Sequence, residues 1–382
     1  MLKVQNLTFS YQKDIILKEI SFDVKKGEHI AITGASGSGK STLLKLIYGE
    51  FNLKEGYIFW NDTEIKGPAH NLVVGYPFMK QVNQEFDLMP FITVEENINK
   101  HLSRFDKEDS KKRAEELIVV IEMVDFAQTK VKYLSSGQKQ RVAIAKALAK
   151  APEILLLDEP FSHIDNFKKQ SLRRNIFSYL KQENITCLMA THDKNDVLGF
   201  ADRMSVLHES KIFRDEFPEM LYKNPELPLI ASFFEEYNLI DGQIFYTHQI
   251  KIALKSNYTA VVKRSFFNGA KWLIEAEFKN QIIYLQHSEN IPTESDDMTD
   301  IESMTGGKDA KFRLRVMSYI NVGAINYVNK NWYISKHLGK CSCKLTKKVS
   351  ASAPVNKKHV SQANWGADDS VVEDENECAT PE

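Results

Sequence analysis

The hydrophobic pattern in the first part of the chain alternates between the periods of strands and of helices. Residues 2–9 and 20–24 alternate apolar and polar positions, the pattern of exposed strands. Residues 107–126 place apolar side chains on one face of a predicted helix and charged side chains on the other. Two short apolar runs, residues 154–157 and 185–190, are typical of strands buried on both faces of a parallel sheet. This alternation predicts an α/β domain over residues 1–215.

The pattern changes after that domain. A linker interrupted by prolines is predicted over residues 216–242. Strand-like segments follow at residues 258–262, 272–276 and 281–285. Asn268-Gly269 supplies a turn between the first two segments, so we expect a small β domain over residues 243–335. Residues 336–382 become basic and then acidic with few apolar positions, which predicts a disordered tail.

Composition narrows the class of protein. The chain has 382 residues, 43% of them hydrophobic, enough for two domains with real cores. Its formal net charge of −1 argues against a general binder of polyanions. Cys341 and Cys343 have no second pair at zinc-ligand spacing, so no metal site is expected there. With no apolar run long enough to span a membrane and no signal segment, the sequence predicts a cytosolic protein.

The clearest chemical motif is the stretch Gly34-Ala35-Ser36-Gly37-Ser38-Gly39-Lys40-Ser41-Thr42. A strand-like run precedes it and a run with helical spacing follows, the context that a phosphate-binding G-x-x-x-x-G-K-S loop requires. The glycines permit a tight turn whose N–H groups point at a phosphate, and the helix N-terminus adds more. We expect Lys40 to reach the β- and γ-phosphates and the Ser41 hydroxyl to bind Mg²⁺. The alternative, a glycine-rich surface loop, is disfavoured by the flanking elements.

Two carboxylates follow the apolar run at residues 154–157. Asp158 and Glu159 are expected at the carboxyl end of a buried strand, where open α/β sheets bind their ligands. Asp158 is a candidate ligand of Mg²⁺, directly or through water, and Glu159 is a candidate general base for an attacking water. The alternative is a solvated acidic turn, which the phosphate-binding loop earlier in the chain makes the weaker interpretation.

A second motif, Leu134-Ser135-Ser136-Gly137-Gln138, lies just upstream of Ile154-Leu155-Leu156-Leu157-Asp158-Glu159-Pro160. In this position it matches a family signature, and over about residues 1–240 the chain resembles the ATP-binding subunit of ATP-binding-cassette (ABC) transporters. The resemblance implies an α/β P-loop NTPase cassette with a mixed sheet core, an antiparallel β subdomain and a helical subdomain, followed by a small C-terminal β domain. It also implies ATP and Mg²⁺ as bound groups and ATP hydrolysis as the activity.

The resemblance assigns roles to further residues. Tyr11 matches the aromatic residue that stacks on adenine, and Gln84 matches the glutamine that contacts Mg²⁺ and the attacking water. His192 matches the switch histidine at the γ-phosphate. Asp165 belongs to Ser162-His163-Ile164-Asp165, which lies where the family has its D-loop. Gln81 competes with Gln84, which fits the family register better. Taken singly, Tyr11 and His192 are better explained as ordinary strand-end residues. Their order and spacing favour the family roles.

The family's mechanism implies two cassettes packed head to tail, each ATP lying between one P-loop and the partner's signature. Ser135, Ser136, Gly137 and Gln138 would therefore act in trans, and a homodimer is the implied assembly. Ser136 stands where the family usually has a second glycine. We expect its side chain to crowd the γ-phosphate of the opposing site, which lowers activity and leaves binding intact.

The C-terminal part bears on the direction of transport. Residues 221–238 resemble the segment that leads into the accessory β domain of many importer ATPases, and residues 243–287 loosely resemble its oligonucleotide-binding-like β module. This favours the energising subunit of an importer, nearest to polyamine or ferric-ion uptake types. The alternatives are an ATPase of an exporter or lipoprotein-release system, and a soluble ABC protein acting in translation or DNA repair. A family-specific extension that braces the dimer is the alternative to the β module.

The importer interpretation implies particular partners. They are integral membrane permease subunits, a second copy of the chain and an extracytoplasmic solute-binding protein. Nucleic acid is not expected, because the basic residues of 243–287 form no strong stripe. The protein would be cytoplasmic and peripheral on the inner face of the cell membrane.

Overall fold

The computed structural model of the protein describes residues 1–83, 86–100, 102, 106–253, 258–291 and 311–316. Within them the strands are β1 (Leu2–Tyr11), β2 (Asp14–Val24), β3 (His29–Gly34), β4 (Glu55–Trp60), β5 (Thr63–Glu64), β6 (Met79–Val82), β7 (Ile154–Asp158), β8 (Thr186–Ala190), β9 (Arg203–His208), β10 (Lys211–Glu216), β11 (Tyr237–Ile240), β12 (Gln243–Tyr246), β13 (Ile250–Ala253), β14 (Tyr258–Asn268), β15 (Lys271–Phe278), β16 (Gln281–His287) and β17 (Lys311–Val316).

The helices of the same residues are α1 (Lys40–Tyr48), α2 (Val94–Asn99), α3 (Lys107–Val120), α4 (Ser136–Leu148), α5 (Asn166–Gln182), α6 (Lys194–Phe200), α7 (Pro218–Lys223) and α8 (Pro228–Phe234). Short 3₁₀ turns lie at Val124–Phe126, Val131–Tyr133 and Thr247–Gln249. In the described part of the chain, no helix combines the length and the apolar character needed to cross a membrane.

A six-stranded mixed sheet forms the centre of the α/β part. Its strand order is β10-β9-β3-β8-β7-β6, with β3, β6, β7, β8 and β9 parallel and β10 antiparallel to its neighbour β9. All five residues of β7 and all five of β8 are buried, as predicted for strands covered on both faces. The carboxyl ends of β3, β7 and β8 therefore meet at one edge of the sheet, which positions the candidate site.

The two faces of this sheet belong to different hydrophobic cores. Along β7, Leu155 and Leu157 join the core that contains α4 and α5, whereas Ile154 and Leu156 join the core that contains α1. The alternation follows from the two-residue period of a strand. Each buried leucine or isoleucine contributes roughly 1.5–3 kcal/mol of transfer free energy. The side chains of β7 therefore stabilise the packing of helices on both faces of the sheet.

The antiparallel sheet β2-β1-β4-β5 packs beside α1 through the second of these cores. The hydrophobic pattern predicts an exposed strand over residues 2–9, and this holds for only one face of β1. The polar residues face outward, whereas Leu2, Val4, Leu7 and Phe9 are buried. The sheet is therefore amphipathic, with one face on the core and one in solvent.

The helical segment contains α2, α3 and α4. The predicted helix at 107–126 ends earlier, at Val120, and continues as the 3₁₀ turn after a break. Glu122 has a positive φ of 55°, a conformation that an α-helix does not continue through. Inside the segment, the buried Asn97 accepts a hydrogen bond from the Met89 N–H and donates to the carbonyls of Met89 and Thr93, which holds the loop before α2.

The C-terminal part of the described chain contains a five-stranded antiparallel sheet in the order β13-β17-β14-β15-β16. The predicted Asn268-Gly269 turn joins β14 to β15, and Gly269 has a φ of 71°. This sheet confirms the β character predicted for the region. The proposed domain bounds and the oligonucleotide-binding-like interpretation stay predictions, and residues 317–335 and the predicted tail at 336–382 lie outside the described residues.

Candidate active site

The loop between β3 and α1 has the backbone that a phosphate-binding loop needs. Gly34, Gly37 and Gly39 have φ values of 147°, 78° and 99°, which other residues rarely adopt. A Cβ at Gly34 would lie 2.4 Å from the backbone oxygen of Leu207, so the loop also approaches β9 too closely for a side chain. The predicted tight turn is present, and α1 begins directly after it at Lys40.

The Lys40 side chain folds back over this loop. Its Nζ donates to the carbonyl oxygens of Gly34 and Ala35, each at 3.0 Å. Burial lowers the pKa of Lys40, while the charges of Glu159 and Asp158 oppose that shift. The ammonium group is thus held beside both carboxylates and above the concave side of the loop.

The remaining residues of the motif line the same turn or open α1. Ser36 is exposed, and the Ser38 N–H donates to the Ala35 carbonyl at 3.1 Å. The Ser38 hydroxyl is buried without a hydrogen-bond partner among the described residues. Ser41 and Thr42 follow Lys40 in the first turn of α1.

Tyr11 lies at the end of β1 next to this helix. Its hydroxyl is 3.5 Å from Oγ1 of Thr42, and its ring contacts Phe9 and Phe51 edge-on. The residue is 43% exposed, so part of the ring remains accessible beside the loop. The structure therefore places Tyr11 next to Thr42 of the phosphate-binding motif, and its stacking on adenine stays a prediction.

Asp158 ends β7 beside the first turn of α1. It is 5% exposed, and its Oδ1 is buried without a hydrogen-bond partner among the described residues. Burial raises the pKa of Asp158, and the nearby Ser41 hydroxyl and the charges of Lys45 and Lys40 oppose that shift. An unpaired carboxylate oxygen next to a hydroxyl is an oxygen donor set of the kind that Mg²⁺ prefers, so these residues fit the ion.

Glu159 is the next residue and turns away from the strand. Its φ of 52° places it in the left-handed region, an unusual conformation for a residue with a side chain. The Glu159 N–H donates to the Ala190 carbonyl at 2.9 Å, which ties it to the end of β8. Its side chain is 17% exposed and contacts His192 through Oε2 and Nδ1. The structure thus brings Glu159 and His192 into direct contact from two neighbouring strand ends.

A buried arginine fixes the segment that carries His192. Arg173 of α5 is 1% exposed and forms ion pairs with Asp193 and Asp196, on the C-terminal side of His192. Asp196 also accepts from the Thr191 hydroxyl at 2.6 Å, so the preceding residue belongs to the same network. His192 itself is 69% exposed. The backbone on both sides of an exposed histidine is therefore held rigidly.

Sequence reasoning missed Arg173 because the two carboxylates that pair with it are distant in the chain. Its partners lie beyond β8, at the start of α6, and the packing of α5 against α6, seen in the Phe177–Phe200 ring contact, brings them together. An arginine inside the apolar stripe of a helix was the available signal, since it must be paired if it is buried.

The signature residues form the start of α4. Ser135 is the N-cap: its Oγ accepts from the Gln138 N–H at 3.2 Å, and the Gln138 Oε1 accepts from the Ser135 N–H at 2.9 Å. This is a capping box, in which Ser135 and Gln138 stabilise the start of the helix by satisfying each other's backbone N–H groups. Ser136 is exposed, whereas Gly137 is buried against the D-loop. A Cβ on Gly137 would lie 2.5 Å from the His163 carbonyl oxygen.

Two further residues with predicted roles are Asp165 and Gln84. Asp165 is exposed at the N-cap of α5, and its carbonyl accepts from the N–H groups of Lys168 and Lys169. Gln84 lies outside the described residues. Its competitor Gln81 lies in β6, with both side-chain polar atoms buried without a hydrogen-bond partner among the described residues.

A glycine-rich phosphate loop, with a buried aspartate and a glutamate at the carboxyl end of strand β7, defines a P-loop nucleotide-binding enzyme. The comparisons narrow this class. A family model described as "ABC transporter" matches residues 17–162. The chain belongs to the ABC transporter family, whose members bind and hydrolyse ATP.

Individual relatives extend beyond the matched segment. The putrescine transport ATP-binding protein PotG of Escherichia coli (strain K12) is 32% identical over 247 residues, which cover 63% of this chain and 64% of PotG. The Fe(3+) ions import ATP-binding protein FbpC of Haemophilus influenzae (strain 86-028NP) is 32% identical over 312 residues, which cover 75% of this chain and 88% of FbpC.

Solved structures match the cassette part of the fold. The dimeric structure of MJ0796, described as a bacterial ABC transporter cassette, superposes with a TM-score of 0.50 at 31% identity and covers 57% of this chain and 98% of that one. The cbiO1 protein of Clostridium perfringens, part of the ABC transporter complex cbiONQ, gives a TM-score of 0.52 at 26% identity and covers 59% of this chain and 91% of that one.

Proposed function

We propose that this protein is the ATP-hydrolysing subunit of a solute importer and works as a head-to-tail homodimer. The observation that favours an importer over an exporter is the extent of the match to FbpC. It covers 75% of this chain, more than the 215 of 382 residues predicted for the cassette, and so includes part of the chain beyond it. The resemblance to the family implies that exporter ATPases usually stop near the end of the cassette, so this longer match favours an importer.

The names of the relatives support the same class. FbpC is named for import of Fe(3+) ions, PotA of Acetivibrio thermocellus for import of spermidine and putrescine, and CysA of Bacillus cereus for import of sulfate and thiosulfate. The solutes differ while the ATP-binding subunits resemble one another. The solute is therefore expected to be recognised by partner subunits, and this chain supplies the energy-coupling step.

The reaction is attack of water on the γ-phosphorus of ATP. A bond forms between the water oxygen and phosphorus, the bond to the bridging β–γ oxygen breaks, and ADP and phosphate leave. Glu159 accepts the proton of the water, because its carboxylate lies at the strand ends beside the phosphate loop. His192 contacts that carboxylate through Nδ1 and Oε2, and its ring is exposed. In the proposed mechanism this ring would contact the γ-phosphate of bound ATP.

The other site residues bind and orient the nucleotide. Lys40 exchanges its two loop carbonyls for phosphate oxygens, and Tyr11 offers its ring to the adenine. Ser41 and Asp158 would hold Mg²⁺, Asp158 directly or through water, and Gln84 would be a third ligand. A bound ion there would supply positive charge opposite the β- and γ-phosphates. Ser135 and the N–H groups at the start of α4 would bind the γ-phosphate held by the partner subunit.

The assembly follows from the single set of motifs. One chain carries one P-loop and one signature, so two complete sites need a second copy related by two-fold symmetry. The membrane permease subunits would bind the dimer on the inner face of the cell membrane, with a solute-binding protein on the other side. Nucleic acid is not expected as a partner. In and next to the C-terminal sheet, Lys263, Arg264 and Lys279 each form an ion pair with a nearby carboxylate.

The test is co-purification of tagged Glu159→Gln protein from its own membranes in the presence of ATP. An importer-type permease in the eluate supports the proposal. An exporter-type membrane protein would reverse the direction, and ribosomes or repair factors without a membrane protein would refute transport. Lys40→Ala, which is expected to bind ATP weakly, is the matched control for partners that depend on the closed dimer.

A further inference from the structure

One fully buried polar side chain joins the signature helix to the candidate general base. Gln140 lies in the first half of α4, two residues after the signature, and is 1% exposed. Buried amides are kept only when their polar atoms are satisfied, so the partners of Gln140 indicate what it does.

Both ends of the Gln140 amide are hydrogen-bonded to backbone. Its Nε2 donates to the Glu159 carbonyl oxygen at 2.9 Å, and its Oε1 accepts from the His163 N–H at 3.3 Å. The side chain therefore spans two successive turns of the segment that follows β7. One contact is to Glu159 itself and the other is to the D-loop.

The Glu159 backbone is the part of this segment that needs support. A residue with a side chain at a φ of 52° is strained, and such strain persists only where the surroundings hold it. The Glu159 carbonyl accepts from the Ser162 N–H at 3.2 Å and the Ser162 hydroxyl at 3.0 Å as well as from Gln140. Gln140 is the one of these donors that belongs to another element.

The signature and the D-loop are also in direct contact. The Cβ position of Gly137 is only 2.5 Å from the His163 carbonyl oxygen, so α4 and the D-loop are packed backbone against backbone. The His163 ring in turn contacts Phe86 edge-on at 6.0 Å. Because these contacts are close-packed, a displacement of α4 would also displace residues 159–165.

We propose that Gln140 is a positioning residue that couples the signature of one site to the general base of the other. This rests on the head-to-tail dimer proposed above. In that dimer the signature of a chain serves the ATP held by its partner, while Glu159 serves the ATP held by its own P-loop. Gln140 then makes the geometry of Glu159 depend on whether the neighbouring site holds ATP.

The test compares the near-isosteric variant Gln140→Leu with wild type in ATPase assays over a range of ATP concentrations. We expect kcat to fall on the order of 100-fold, because the base is misplaced. The Kd for a fluorescent ATP analogue should stay within about twofold, since Gln140 does not touch the nucleotide. The Hill coefficient should fall from above 1 in wild type to about 1.

Three further variants separate positioning from simple loss of structure. Gln140→Glu keeps the acceptor for His163 and loses the donor to Glu159, so it should lose kcat nearly as fully as Gln140→Leu. Ser162→Ala removes only one of three donors to the Glu159 carbonyl and should lose less. Gln182→Leu, an exposed glutamine at the end of α5, is the matched control and should behave as wild type.

The outcomes distinguish this inference from the proposed function. Wild-type cooperativity in Gln140→Leu, or a drop in nucleotide affinity equal to the drop in kcat, would overturn the coupling role while leaving the ATPase dimer in place. ATP-dependent dimerisation of Glu159→Gln, measured by light scattering, tests the dimer separately. If that variant stays monomeric at saturating ATP, the proposed dimer and this coupling both fail.

Discussion

Arg173 and Asp196 form an ion pair inside the core, with Nε of Arg173 2.5 Å from Oδ1 of Asp196 and both side chains almost fully buried. Burial raises the pKa of Asp196, and the Thr191 hydroxyl and the Arg173 charge oppose that shift. Burial likewise acts to raise the pKa of Asp193, but hydrogen bonds from Lys169, the Asn195 N–H and Arg173 lower it overall. Arg173 thus acts to lower the pKa of both carboxylates around the segment of His192, against the effect of their burial.

Replacing Arg173 by methionine tests this network. The change should lower the free energy of unfolding by about 3–5 kcal/mol, because Asp196 is left buried without its counter-charge. ATP turnover should fall further than unfolding accounts for, since His192 loses its support. Urea unfolding and ATPase rates measure the two effects. Arg174→Met, at an exposed position one residue on, is the control, and equal effects of the two variants would argue against the network.

Replacing Glu159 by glutamine tests the general base. Turnover should fall roughly 10²- to 10⁴-fold, because the amide cannot accept the proton of the water. ATP binding should be retained and the closed dimer should accumulate, which size-exclusion chromatography with ATP measures. Glu183→Gln, at the end of α5, is the control for the same change on the surface. A wild-type rate of ATP hydrolysis in Glu159→Gln would show that Glu159 is not the general base.

Replacing Lys40 by alanine should weaken the binding of ATP. We expect ATP affinity to drop roughly 10- to 100-fold, the loss of one hydrogen-bonded charge on the phosphates. Fluorescent-nucleotide titration measures the change directly. Lys54→Ala removes a lysine from the exposed turn after α1 and should bind ATP as wild type does. Unchanged affinity in Lys40→Ala would contradict the phosphate role.

Replacing Gly137 by alanine should disturb the D-loop. The added Cβ would meet the His163 carbonyl oxygen at 2.5 Å, so the backbone of one segment must move. We expect lower stability and lower kcat, measured by thermal unfolding and ATPase assay. Gly199→Ala, in α6, meets nothing within 4 Å and is the matched control. A Gly137→Ala protein with wild-type stability would mean that the D-loop adjusts freely.

His29 predicts a pH dependence of stability. Burial lowers its pKa from 6.5 to about 4, with the Lys181 charge acting in the same direction. The unfolded chain therefore binds a proton that the folded chain does not, and stability is fully present above pH 6.5 and lost as the pH falls toward 4. Between pH 7 and pH 5 the loss from this residue is about 2 kcal/mol.

The variant His29→Phe keeps an aromatic ring beside Phe177 and removes the titration. Its unfolding free energy should change about 2 kcal/mol less than that of wild type over the same pH range. Urea titrations at pH 7 and pH 5 measure the difference. His70→Phe, at an exposed position, should retain the wild-type dependence. If the unfolding free energies of wild type and His29→Phe changed equally with pH, His29 would not be the cause of the pH dependence.

Much of the site was predictable because its motifs are local. The phosphate loop from Gly34 to Thr42 depends on glycine conformations and a helix start within nine residues, and the structure has both. The same holds for Ser135 and Gln138, whose capping box is complete within four residues. The buried strand before Asp158 was likewise evident from its unbroken apolar run.

The amino-acid sequence by itself therefore determined the ATP-binding family and the residues around the phosphates, because those features depend on backbone conformation over a few neighbours. Only the tertiary structure decided which side chains support them. The contacts of His192 with Glu159, Arg173 with Asp196 and Gln140 with Glu159 join residues on different elements. Such contacts arise from how helices pack on the sheet, and no local pattern along the chain encodes that packing.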